Sequence, residues 1–80
     1  MSKLKSFSGE GLIKLFSGLG FGVYTQKGSH IKLRRLKDSQ KETLVIPNHK
    51  VIDKGTLRAI LRQASKYIAI EKLNALFYSD

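Results

Sequence analysis

Leu12, Ile13, Leu15, Phe16 and Leu19 recur at helical spacing behind Ser8, a residue suited to an N-cap. With Glu10 in the first turn and Gly18 and Gly20 behind the last, the pattern predicts a helix over residues 9–17. The period then changes. Phe21, Val23 and Thr25 alternate on one side of a predicted strand over 21–27, Gly28 and Ser29 offer a turn, and residues 30–36 form a second strand, so the two make a hairpin. A polar turn over 37–41 leads into a third strand over 42–46, stopped at Pro47, which has no N–H for a ladder. After a loop, Asp53 serves as N-cap to the clearest helix of the chain. Leu57, Ile60, Leu61 and Ala64 occupy its i, i+3, i+4, i+7 face, while Arg58 and Arg62 share another. Burying Leu57, Ile60 and Leu61 at about 1.5–3 kcal/mol each would hold that helix to the sheet. Ile70, Leu73 and Phe77 repeat at helical spacing within residues 68–77, an optional closing helix. The predicted order is α-β-β-β-α: an α+β fold with a three-stranded antiparallel sheet, helices on one face, and residues 1–80 as a single domain.

Composition adds a strong charge bias. Fifteen Lys and Arg against six Asp and Glu give a formal +9 in 80 residues, at a pI near 10.1. A chain this short buries only about 60% of its unfolded surface, which excludes deep cofactor clefts, while 41% hydrophobic content argues against wholesale disorder. Without Cys there is no disulfide framework and no thiolate metal site. No apolar run reaches the about 20 residues of a spanning helix, and Lys14 with three Gly interrupts any secretory h-region, so a soluble cytoplasmic protein is expected. The basic excess points to a polyanion, with nucleic acid ahead of a membrane because no helix sets cations opposite a bulky apolar face; an acidic protein would satisfy the same charge.

The charge is regional: residues 27–62 carry +7 of the +9. The second strand divides it, with Ile31 and Leu33 on one face and His30, Lys32 and Arg34 on the other. A solvated sheet face with an incidental histidine and a nucleic-acid-binding face explain that composition about equally well. The glycines at 18, 20 and 22 follow a helix and enter a strand, the wrong polarity for a phosphate loop, and they read as a C-cap and tight turn. Ser29 and His30 are strand neighbours on opposite faces and make no nucleophile pair. Two histidines nineteen positions apart, with no acid near either in sequence, make a poor metal site. No cofactor is expected.

Four blocks in order carry a resemblance: Leu19-Gly20-Phe21; Gln26-Lys27-Gly28-Ser29-His30; Val45-Ile46-Pro47-Asn48-His49; and the run from Lys54-Gly55-Thr56-Leu57 through Gln63-Ala64. Over residues 8–64 the chain resembles the HicA-like (YcfA-like) mRNA interferase toxins of HicA/HicB toxin–antitoxin pairs. The resemblance implies a small double-stranded-RNA-binding-domain-like fold, in agreement with the order read from periodicity. It also implies an endoribonuclease that cuts mRNA and depends on the histidine of the Gly-Ser-His block, here His30, and a HicB-type antitoxin that covers it. Ser65 stands where the family usually has Gly, and the chain from Lys66 onward matches weakly.

A metal-independent cleavage needs a base, a proton for the leaving oxygen and positive charge near phosphorus. His30 can be the base, and Lys27 and Lys32 can steady the phosphoryl oxygens, with Arg34, Arg58 and Arg62 as further RNA contacts. The acid is open between His49 and water, and His49 serves equally well as a loop residue bonding its own backbone. A basic RNA-binding module without chemistry, and a degenerate toxin kept as an antitoxin partner, are the other readings.

Overall fold

The computed structural model describes residues 3–79. In chain order these form β1 (Lys3–Leu4), α1 (Gly9–Ser17), β2 (Gly22–Lys27), β3 (His30–Lys37), β4 (Gln40–Pro47), α2 (Lys54–Ala64), α3 (Ile70–Phe77) and β5 (Tyr78–Ser79). β2, β3 and β4 make an antiparallel meander with β3 in the centre, and β1 pairs with β5 in a separate two-residue clasp. The α-β-β-β-α order and the closing helix agree with the sequence pattern. None of the described helices is long and apolar enough to cross a membrane.

Helix α1 begins where expected because the Ser8 hydroxyl accepts from the Gly11 N–H at 2.9 Å, satisfying a donor that the first turn cannot pair. It buries Leu12 and Phe16 against the sheet. The Asp53 carboxylate caps α2 twice, accepting from the Thr56 hydroxyl at 2.7 Å and the Thr56 N–H at 3.0 Å. Leu57, Ile60, Leu61 and Ala64 all face the core. With Ile31 and Leu33 of β3 and Leu44 and Ile46 of β4 they form one cluster, closed at its end by Leu73 and Phe77 of α3. The helices therefore lie on one side of the sheet, and its other face is open.

Three local expectations are corrected. The β2 alternation does not persist: the register passes from Val23 opposite Leu33 to Thr25 opposite Lys32, so a bulge at Tyr24 puts Val23 and Thr25 on different faces. Phe21 is buried, but Val23 is 58% exposed on the sheet's free edge. The polar turn before β4 is only Asp38 and Ser39, both at positive φ (52° and 67°), as a two-residue type I′ connection requires, and β4 accordingly begins at Gln40. Ile70 heads α3 half-exposed, and Ile68 just before the helix fills the core position instead.

Arg35 follows Ile31 and Leu33 on the helix side of β3 and is drawn into the structure. Its Nε donates to Glu42 Oε1 at 2.6 Å, Nη1 to the Leu19 carbonyl at 2.9 Å and Nη2 to the Tyr67 carbonyl at 3.4 Å. Its guanidinium also lies 4.7 Å from the centroid of the Phe21 ring. One side chain thus ties the end of α1, the start of β2, β4 and the turn after α2. Gly20, at φ 99°, passes so close that a Cβ there would stand 3.2 Å from Arg35 Cδ.

Arg35→Ala is expected to destabilise the fold by about 3 kcal/mol, because it strips donors from two carbonyls and strands Glu42 beneath the sheet. Urea denaturation checks this, and a loss no larger than that of a surface Lys→Ala change would refute it. Hydrogen bonds from the Thr56 side chain, then its backbone, hold the Asp53 carboxyl below its ordinary 3.8. A depressed folded value means that this stabilisation is present above the ordinary carboxylate range and is lost as pH falls through the folded value. The stability difference between wild type and Asp53→Ala should accordingly shrink on acidification below that range, as read from denaturation curves at neutral and acid pH.

Candidate nucleic-acid interface and catalytic groove

The open face follows from the period of β3. Its even positions, His30, Lys32, Arg34 and Leu36, point away from the helices, and their cross-strand partners complete the face. His30 lies between Lys27 and Pro47, Lys32 between Thr25 and Val45, Arg34 between Gly22 and Thr43, and Leu36 beside Lys41. No carboxylate occupies any of these paired positions. Glu42, the acid of β4, is opposite Arg35 on the helix side. The cations of this face are therefore uncompensated by the sheet that carries them.

At one end, the face meets α2 in an open groove of about 300 Å³. His30, Val45, Pro47 and His49 form one side of it, and Thr56, Ala59 and Gln63 the other. Both histidines are exposed. The ladder places them: His30 pairs with Pro47, the Asn48 N–H donates to the Ser29 carbonyl at 2.6 Å, and His49 follows where the chain leaves the sheet. Gln63 fixes the other wall by accepting from the Val45 N–H at 3.2 Å, which also occupies a donor on the outer edge of β4. The structure thus brings His30 and His49 together, which the sequence left open.

Lys27 and Lys32 share the face with His30, and Arg34 lies further along it. Arg58 and Arg62 do not join them. They lie about a third of a helical turn round α2 from Thr56, Ala59 and Gln63, and they line a different groove with Ile70, Asn74 and Tyr78. Arg35 lies on the helix side and its donors are engaged inside the fold. Lys54 Nζ is likewise engaged, donating to the Leu4 carbonyl at 2.7 Å. Among the described residues no three His, Asp or Glu side chains gather as a metal site.

Sequence reasoning missed three residues that build the groove: Thr56, Gln63 and Gly9. Gly9 is buried at the start of α1, where its N–H donates to the His49 carbonyl at 2.8 Å. A Cβ there would collide with the Pro47 carbonyl and stand 2.9 Å from Asn48 Cα. Glycine lets the helix end rest directly on the backbone that presents His49. A glycine in the first turn of an otherwise apolar-periodic helix is the signal that could have pointed to this close approach.

These features define a small basic α+β domain with an open cationic sheet face and a two-histidine groove at its end. The family model described as the HicA toxin of bacterial toxin–antitoxin systems matches residues 9–65, and the chain belongs to that family. Among curated proteins and among solved structures no match is found. The matched span runs from Gly9 to the cap of α2. Ser65 at that cap is in the ordinary αR region, at φ −66°, with its hydroxyl donating to the Arg62 carbonyl at 2.8 Å, so the position does not require glycine.

Gly9→Ala should displace the 47–49 backbone, costing about 1–3 kcal/mol of stability as overpacking does. It should also shift the His49 imidazole resonances in an NMR spectrum more than those of Tyr24. Unchanged stability and unchanged His49 signals would show that the helix end has room for a methyl group.

Proposed function

We propose that this HicA-family toxin is a metal-independent endoribonuclease that cleaves mRNA in the cytoplasm and is held inactive by a HicB-type antitoxin. The observation that carries the reading is the convergence of His30 and His49 on one groove at the edge of an acid-free cationic face. A single RNA strand laid along that face would have its phosphates near Lys27, Lys32 and Arg34. His30 takes the proton from a ribose 2′-hydroxyl, and the freed oxygen attacks the adjacent phosphorus. Lys27 and Lys32 stabilise the charge that builds on the phosphoryl oxygens. His49 gives a proton to the departing 5′-oxygen. The products are a 2′,3′-cyclic phosphate and a 5′-hydroxyl, and no metal enters any step.

Inhibition follows from the same charge. An acidic antitoxin surface docked on the open face competes with RNA for the same lysines and covers His30. RNA and antitoxin are thus alternative occupants, and toxicity depends on the free fraction of toxin.

His30→Ala should lower cleavage by about 10² to 10⁴ in rate. Its stability should change by about 0.5 kcal/mol or less, because the exposed ring deletes no core contact. RNA affinity should be nearly kept and should fall steeply with salt, as backbone-charge binding does. His49→Ala should lower the rate as well, with more activity retained on a substrate whose leaving 5′-oxygen is replaced by sulfur, which needs no acid. Activity should survive EDTA, and 2′-deoxyribose at the cut should abolish it. A fully active, folded His30→Ala protein or a 5′-phosphate product would overturn the mechanism and leave a basic RNA-binding module as the better reading.

A further inference from the structure

The open face has a second feature, about four residues along β3 from His30 and therefore about 13 Å away. The hairpin register, continued from Lys27 opposite His30 without interruption, would place Tyr24 opposite Leu33 on the helix side. The bulge instead turns it onto the open face. There the Arg34 guanidinium stacks on its ring, 3.7 Å from the centroid, and the tyrosine remains 55% exposed. Among the described residues Arg34 makes no ion pair, and its Nε is buried without a hydrogen-bond partner, so the stack orients the guanidinium without consuming its outward donors. Leu36, 69% exposed, and Lys41 continue the patch, and with Gly22 these residues line part of a shallow groove of about 560 Å³ that continues round the sheet end past Val23 and Arg35.

We propose that Tyr24 and Arg34 form a stacking subsite for one unpaired nucleotide of the RNA, a few nucleotides from the cut; the proposal rests on the ribonuclease reading above. A free anion would have no use for an exposed Tyr and Leu, and an apolar ligand none for Arg34 and Lys41. A nucleotide uses both: a flat base for the ring and guanidinium planes, and a phosphate for the cations at the rim. The absence of acid from the face favours RNA over a protein ligand with mixed charge. The base must be unpaired to expose its flat face, so the subsite selects single-stranded RNA. It also holds that RNA in register with His30, because Arg34 and His30 project from the same side of β3. Gly22, which pairs with Arg34, leaves the approach open on the β2 side.

The test uses full-length protein and single-stranded RNA oligonucleotides blocked by 2′-deoxyribose at the cut, with 2-aminopurine placed at successive positions around it. Wild type and Tyr24→Phe should quench 2-aminopurine at one position, displaced to one side of the cut. Tyr24→Ala should lose that quenching and bind at least about fivefold more weakly. A matched duplex should give no such signal. Circular dichroism and urea midpoints should match wild type, since the substitution removes an exposed ring. If Tyr24→Ala retains both the quenching and the affinity while wild type cleaves RNA, the subsite is refuted and the ribonuclease stands. If Tyr24→Ala weakens only antitoxin binding, the patch belongs to the protein partner and the subsite is refuted. If wild type neither binds nor cleaves RNA, the ribonuclease reading fails and the subsite fails with it.

Discussion

The period of two along β3 sets both the interior and the open cationic surface of this protein. Ile31, Leu33 and Arg35 point beneath the helices while His30, Lys32 and Arg34 point to the open face. A slip of one residue would exchange the two sets, burying a histidine and two cations and exposing the core. Such a slip is blocked at both ends. At one end the Gly28–Ser29 turn and the Asn48–Ser29 hydrogen bond fix His30 opposite Pro47. At the other, Arg35 meets Glu42 and two carbonyls that only the native register supplies. Arg35 thus has the charge of the open-face residues and the position of the core residues, and the position decides its role.

Local signals were legible where they were decided locally. The Ser8 cap and the apolar spacing of α1 determine that helix within its own residues, and Asp53 with the Leu57, Ile60, Leu61 and Ala64 face does the same for α2. The bulge in β2 left no mark, because Val23, Tyr24 and Thr25 are all good strand formers and nothing in their order says which is extra. The two-residue clasp of β1 and β5 joins opposite ends of the described chain and has no local pattern at all. Helical periodicity correctly separated Arg58 and Arg62 from the buried face. It could not say which flank of α2 would adjoin the histidine, since that depends on how Gln63 docks against β4.

The groove shows how packing brings distant side chains together. His30 and His49 are nineteen positions apart, and no spacing rule relates them. What relates them is a strand pairing that ends at Pro47 and a helix that begins, without a side chain, on the backbone just beyond it. Each histidine is held by its neighbours' main chain while its own ring stays exposed, so the same backbone contacts that stabilise the fold also set the separation of the two rings. Gly9, with no side chain, therefore bears on the groove as directly as the lysines of the sheet do.

An acid-free face carries an energetic consequence for the fold as a whole. Among the described residues the ion pair is Arg35 with Glu42, and Lys27, Lys32, Arg34 and Lys41 repel one another across the open sheet. A net charge far from zero strains the compact state, so the free toxin gives up stability to keep that surface ready. Any polyanion that binds the folded chain and not the unfolded one returns some of it by mass action. On the function proposed above, RNA and an acidic antitoxin would both meet that condition, so the charge that recruits one would also tie the toxin's lifetime to the other. On this view the core around Phe16, Leu33 and Leu57 must be tight enough to tolerate the repulsion alone. It is built that way, with every one of its largest side chains drawn from the helices and the inward positions of β3 and β4 and none from the strand edge that the open face shares with solvent.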